Sequence, residues 1–440
     1  MNMIEGINSK NMFKNIKKVH FIGIGGIGVS ALAKMMILLN KKITGSDIAE
    51  NIVNKRIKKM GGRIFIGHKK TNLSKDVDIV IYSPAIKKDN PELMYAKKLK
   101  IPIYSYPQAL GLISKNNYTI AISGTHGKTS TTAMLAEAMI SAKKDPTIII
   151  GGFLRKQKDN FIQGKKGVFL VEACEYKKSF LNLFPDILVI TNIDNDHLDY
   201  YKNIKNIQKS FAELISRVPQ DGFIVCNKKE KNTQQALKLA NIKGKVIDYS
   251  RIKNIKLKVL GKHNIENAKA ALSVLQLIDV KEEQGRKFLG EYAGAWRRFE
   301  YKGKTKKSAL IYDDYAHHPS EIKATLQAAR EKFKKNKIIV IFQPHLYSRT
   351  KFLLNYFSKS FNQADQVIVT DIYAAREKDR GLIHATDLVK EIKKYNPFTD
   401  YISDFEDIIK YLKENIKRDD VIITIGAGDI YIIGDKLITN

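Results

Sequence analysis

The sequence predicts an α/β protein built on parallel, doubly wound sheets. Three observations carry that reading. Apolar runs of strand length recur along the chain, helical stretches alternate with them, and the glycine-rich and polar segments fall where a strand passes into a helix. At roughly 150 residues per domain, 440 residues give room for about three domains.

Residues 17–24 read as the first strand and 29–39 as the helix after it, with a glycine cluster between them. Further strands are expected at 64–66, 78–82 and 101–104. Near 113–117 the pattern resets, and 118–123 opens a second strand–loop–helix unit with strands at 167–172, 187–193 and 222–227. An Ala-rich helix at 264–275 closes it. A third unit starts near 296–301 and carries strands at 337–342, 366–371 and 421–425. The expected domains are therefore 1–115, 116–295 and 296–440.

Composition narrows the function classes. With 44% hydrophobic and 28% charged residues, a wholly disordered chain is excluded. Lys and Arg number 76 against 45 Asp and Glu, a formal charge of +31. These cations are scattered among Ile and Asn, as on a solvated helix face such as 331–337, so steering of anionic small molecules is expected and a nucleic-acid partner is not. No apolar run nears the roughly 18 residues of a bilayer span, and the polar N-terminus lacks a signal-peptide core, so membrane insertion is not expected. Two cysteines, Cys174 and Cys226, leave no disulfide scaffold and fit a reducing, cytoplasmic location.

Two loops carry phosphate chemistry. Gly23, Gly25 and Gly28 satisfy G-x-G-x-x-G between strand and helix, and Asp47 lies where a ribose-binding acid would sit. Close backbone approach and a helix N-terminus suit a dinucleotide or a nucleoside diphosphate. The second loop is sharper: Gly124, Thr125, His126, Gly127, Lys128, Thr129 and Ser130 follow one strand and open the next helix. Successive amides can cradle phosphates, Lys128 can reach the outer ones, and the Thr129 hydroxyl can ligate Mg²⁺, so ATP is the expected nucleotide. Ile122 stands where the strict pattern has glycine, which makes this a shortened variant.

Acids and an imidazole gather at later strand ends: Glu172 and Glu175 in one segment, Asp194, Asp196, His197 and Asp199 in another. Ligands of open α/β sheets bind at such ends, and these side chains could complete Mg²⁺ shells. Cys174, between the two glutamates, reads as a packing residue. Asn264 reads as a helix cap and Arg298 as a surface charge on their own. The stretch holding Asp313, Asp314, Tyr315, His317 and His318, with His345, Tyr347 and Arg349 beyond it, lacks zinc-like ligand spacing and suits a polar substrate or phosphate site.

Together these segments resemble the Mur ligases, ATP-dependent amino-acid ligases of peptidoglycan assembly. The resemblance runs from His20 to about Gly428, through the two glycine loops, residues 172–176, 196–199, 261–264, 313–319, 342–345 and 426–429. It implies an N-terminal Rossmann-like UDP-binding domain, a central P-loop-type ATPase domain and a C-terminal Rossmann-like domain. It further implies that the chain adds L-alanine to UDP-N-acetylmuramate. By that resemblance Gly25, Gly26, Ile27 and Gly28 hold the UDP diphosphate, with Ser46 and Asp47 beside them. Lys128 and Thr129 bind ATP and the first Mg²⁺ with Glu172, and His197 helps hold a second. Asn264, Arg298 and Asp314 contact the nucleotide, while Tyr315, His317, His318, His345 and Arg349 line the acceptor side. Leu346 departs from the pattern, standing where some relatives carry a second arginine. His197 and His345 are the candidate bases for the amine. Rival readings are a tripeptide ligase of cell-wall recycling, an NAD-dependent oxidoreductase, for which the second loop has no use, and a basic P-loop ATPase acting on nucleic acid.

Overall fold

The computed structural model describes residues 15–375 and 377–439, without the side chains of Asp199 and Thr439. The polar N-terminal leader and the Asp199 side chain named above lie outside the described residues.

The first sheet comprises β1 (Lys18–Ile22), β2 (Lys42–Asp47), β3 (Arg63–Ile66), β4 (Ile79–Tyr82) and β5 (Ile103–Ser105), ordered β3-β2-β1-β4-β5 and parallel throughout. The chain reverses direction across the sheet at β1, so the glycine loop after it opens at the topological switch point. Strand β2 is absent from the expectations above. Its segment carries Ile43 as its one large apolar side chain and a glycine at 45, so neither alternation nor an apolar run marks it.

The second sheet holds β6 (Tyr118–Ser123), β7 (Thr147–Leu154), β8 (Asp159–Ile162), β9 (Val168–Glu172), β10 (Ile187–Ile190), β11 (Phe223–Cys226) and β12 (Lys245–Asp248), ordered β12-β11-β10-β6-β9-β7-β8. Its core is apolar on both faces, as parallel strands covered by helices require: Ile187, Leu188, Val189 and Ile190 are all fully buried. One pair departs from the parallel expectation, for β7 and β8 form an antiparallel hairpin at the edge.

The third sheet is β13 (Glu300–Lys304), β14 (Leu310–Asp314), β15 (Ile338–Phe342), β16 (Gln366–Val369), β17 (Thr399–Tyr401) and β18 (Val421–Ile425), ordered β13-β14-β18-β15-β16-β17. Only β13 runs antiparallel to its neighbour.

Each of the three expected segments holds one sheet, yet the chain divides into two compact units. One runs to Lys258 and resumes over Ile265–Ala293, so the first two sheets pack as one body. The other takes Val259–Asn264 and the chain from Gly294. Among the described residues no helix is long and apolar enough to cross a membrane.

Candidate active site

In the first unit, the glycine loop is held from beneath by β2. The amides of Gly23 and Ile24 both donate to the Ser46 carbonyl, at 2.8 and 3.0 Å. The Ser46 side chain is fully buried and donates to Glu92 at 2.5 Å, so it braces the strand beneath the loop. Asp47 accepts from the Gly25 amide at 2.7 Å. Placed there by the neighbouring strand, it occupies one of the donors expected to meet the diphosphate, in place of standing free beside a ribose. Gly28 must be glycine for a local reason: a Cβ there would lie 2.6 Å from the Tyr106 hydroxyl. Ile27 opens the helix Ile27–Leu38.

The phosphate loop leaves β6 and enters the helix Lys128–Ser141. Gly124 takes φ +133°, and a Cβ would sit 2.0 Å from the Thr191 hydroxyl. The loop is laced to the segment after β10. Asn192 accepts from the His126 amide at 3.0 Å and returns a bond to its carbonyl, while the Asp194 amide donates to Thr125 Oγ1 at 2.8 Å. Ser130 is buried in the first helical turn.

Lys128 folds over its own loop. Its Nζ donates to the carbonyls of Gly124 (2.5 Å) and Thr125 (3.0 Å) and lies 2.9 Å from Glu175 Oε2. Burial disfavours the ammonium, but the Glu175 carboxylate outweighs it and holds the lysine above its ordinary value, so Lys128 is a cation at neutral pH. Glu172, at the end of β9, accepts from Thr129 Oγ1 at 3.1 Å and from the Gly151 amide at 2.8 Å.

His197 stands with Glu175 and Asp196, whose carboxylates lie 3.7 Å from its Nε2, and the donor atoms of the three lie within 4.8 Å of one another. Its backbone takes φ +51°, a left-handed conformation that turns the ring over Tyr176, with centroids 4.7 Å apart. The oxygen-rich pairing of Thr129 with Glu172, and this second trio, both fit Mg²⁺, a hard ion that takes oxygen donors. Glu175 and Asp196 are among the strand-end acids read from sequence, but their grouping with His197 is not legible there. Their signal was proximity to Glu172 and His197. Cys174 is exposed, contrary to the packing role expected of it.

In the second unit, five of the expected residues come together. Arg298 lies over the Tyr315 ring at 5.6 Å, and the Tyr315 and His317 rings are 5.6 Å apart. His317 neighbours His345 at 5.8 Å, and His345 Nδ1 is 3.3 Å from Arg349 Nη1. Tyr373, absent from the sequence reading, stacks on His345. His318 faces elsewhere: it is buried and caps the helix Pro319–Lys332, accepting from the Ser320 amide at 3.3 Å. Asn264 is likewise engaged locally, donating to the Leu260 carbonyl at 2.6 Å. Leu346 is 4% exposed at φ +70°, its amide donating to the Tyr373 carbonyl, so it belongs to the packing.

Asp314 is buried at the end of β14 and accepts from the amides of Phe299 (2.8 Å) and Ala316 (2.7 Å). Burial pushes its carboxyl up to about 6, against the pull of Arg298 and these amides. The folded chain thus keeps a proton that the unfolded chain loses near pH 4. That contribution to stability is fully present below about pH 4 and is lost as pH rises to about 6. Asp314→Asn is expected to remove this decline, on the order of 2 kcal/mol, in urea titrations run from about pH 4 to pH 7. The same pH slope in both proteins would contradict the assignment.

Comparison with known proteins agrees along the whole chain. Models described as "Mur ligase family, catalytic domain", "Mur ligase middle domain" and "Mur ligase, glutamate ligase domain" match residues 18–118, 122–254 and 297–428. The UDP-N-acetylmuramate–L-alanine ligase of Caldanaerobacter subterraneus is 43% identical, with 97% of this chain and 98% of that protein covered. The same-named ligase of Clostridium botulinum is 43% identical over 96% and 97%. Among solved structures, the UDP-N-acetylmuramate-alanine ligase of Thermotoga maritima superposes with a TM-score of 0.80 at 28% identity, covering 96% of this chain and 98% of that one. A murein peptide ligase from Psychrobacter arcticus shares the fold, with a TM-score of 0.71 at 24% identity and coverage of 96% and 98%. With its two glycine loops, its lysine over the second and its three sheets in this order, the chain belongs to the Mur ligase family.

Proposed function

We infer that the chain is an ATP-dependent ligase that joins L-alanine to the lactyl carboxylate of UDP-N-acetylmuramate, in the cytoplasmic stage of peptidoglycan synthesis. The observation that carries the reading is the cationic Lys128 held over a phosphate loop beside two carboxylate-lined donor sets, in a chain 43% identical end to end to ligases of that name.

The lactyl carboxylate attacks the γ-phosphate of ATP in line, forming an acyl-phosphate and releasing ADP. Lys128 brings the two anions together by neutralising charge on the transferring group. Thr129 with Glu172, and His197 with Glu175 and Asp196, are the residues that would hold Mg²⁺. When bound, Mg²⁺ supplies further neutralisation of phosphate charge. The neutral amine of L-alanine then attacks the acyl carbon, and the tetrahedral adduct collapses with loss of phosphate. His197 and His345 remain the candidates for taking the amine proton. The loop from Gly25 to Gly28 is the seat of the sugar-nucleotide diphosphate, with Asp47 fixing the Gly25 end through its amide. The family resemblance assigns nucleotide contacts to Asn264, Arg298 and Asp314, and the Tyr315, His317, His345 and Arg349 cluster suits the amino acid.

Phosphate release from Mg-ATP and UDP-N-acetylmuramate tests this, with L-alanine, glycine, L-serine or the cell-wall tripeptide added singly. Release that needs both the sugar nucleotide and L-alanine is expected. Preference for the tripeptide would place the chain with the recycling ligases, and release without the sugar nucleotide would overturn the substrate.

A further inference from the structure

The β7–β8 hairpin does more than extend the second sheet. One of its strands reaches the phosphate site: the Gly151 amide holds Glu172, and Gly152 lies against the Thr129 methyl, where a Cβ would be 3.2 Å away. Its other strand reaches the glycine loop of the first sheet. Asn160, fully buried, donates through Nδ2 to the carbonyl of Ile27 at 2.5 Å and to the Ser30 hydroxyl at 3.0 Å. Both acceptors lie in the first turn of the helix Ile27–Leu38, which follows the glycine loop proposed to hold the diphosphate. One turn on, the buried Lys34 Nζ donates to Asn160 Oδ1 (2.7 Å) and to Asp159 (2.5 Å). The hairpin turn is gripped separately, with Arg56 donating to the Lys158 carbonyl at 2.6 Å and stacking over Phe153 at 5.1 Å.

A buried lysine and a buried amide are costly unless every donor finds its acceptor, so these groups specify one arrangement of helix and hairpin. Plain apolar packing would hold the two elements together without fixing their register to a fraction of an ångström. In-line transfer needs that register, because the carboxylate and the γ-phosphate arrive on different loops. We propose that Asn160 and Lys34 are positioning residues for ligation, through which the β7–β8 hairpin sets the sugar-nucleotide loop against the phosphate loop. The inference rests on the substrate reading above.

The test compares Asn160→Asp, Asn160→Ala and Lys34→Met with the wild-type chain. Asn160→Asp keeps an acceptor for Lys34 but sets a carboxylate oxygen against the Ile27 carbonyl, so it isolates the donated bond. The kcat should fall at least about tenfold, the worth of one buried hydrogen bond, and the KM for UDP-N-acetylmuramate should rise while the KM for ATP stays within about twofold. Hydrogen exchange of amides 25–31 should quicken by a similar factor, with the phosphate-loop amides unchanged. The exchange arm needs no substrate, so it reports on the positioning role even if the sugar nucleotide proves to be the wrong ligand. Unchanged constants and exchange, or equal losses for both substrates alongside a lowered Tm, would overturn the inference. Should Asn160→Ala not fold, Lys34→Met and Asn160→Asp still decide it.

Discussion

Lys128→Ala is expected to lower turnover at least about 1000-fold, measured as phosphate release at saturating substrates. The Nζ donates to the loop carbonyls of Gly124 and Thr125 and pairs with Glu175, which places a cation over the phosphate loop. Lys128 is the one lysine or arginine among residues 124–130, so its loss removes the loop's permanent positive charge from the transferring phosphoryl group. The substitution has a second consequence. It strands the Glu175 carboxylate, 3% exposed, without its cation, and losing one partner of such a pair costs about 3 kcal/mol. Adding Glu175→Gln should restore much of that stability and none of the turnover. A Lys128→Ala protein that turns over within tenfold of wild type would sink the phosphate-loop assignment.

The largest stability effect is expected at Arg297. Its side chain is 2% exposed, pairs with Asp313 at 2.7 Å, and donates to the carbonyls of Gly426 (2.7 Å) and Gly428 (2.8 Å). One guanidinium therefore ties β14 to the turn that follows β18. Arg297→Met leaves the buried Asp313 with no cation, only the Thr424 hydroxyl at 2.6 Å, and takes the guanidinium from two carbonyls, so about 3–5 kcal/mol of stability should go in urea unfolding. A loss below about 1 kcal/mol would mean that the turn holds without it.

These two residues mark how far the sequence can be read. Lys128 was legible because phosphate binding demands contiguous residues: a loop, a lysine and a hydroxyl on a new helix sit side by side in the chain. Arg297 was not. It adjoins Arg298, and which of two neighbouring arginines turns inward depends on the phase of a strand edge and a turn that no local pattern records. The β7–β8 hairpin was hidden for a related reason. Its turn is Arg155, Lys156, Gln157 and Lys158, and Lys158 takes φ +53° where glycine or asparagine would have announced a turn. Glu175 and Asp196 were visible as acids at strand ends, but only the fold brings them to His197. Ser46 and His318 show how internal bonding is hidden from the sequence. Both sit beside functional segments in sequence, and each spends its side chain on internal bonds, one to Glu92 and one as a helix cap.

The most direct measurement follows the oxygen atoms. UDP-N-acetylmuramate labelled with heavy oxygen in both positions of its lactyl carboxylate is turned over with Mg-ATP and L-alanine, and the released phosphate is weighed by mass spectrometry. Activation as an acyl-phosphate should leave one labelled oxygen in each phosphate and the other in the new amide. Phosphate that carries no label, beside a labelled amide, would contradict transfer of the phosphoryl group to the carboxylate.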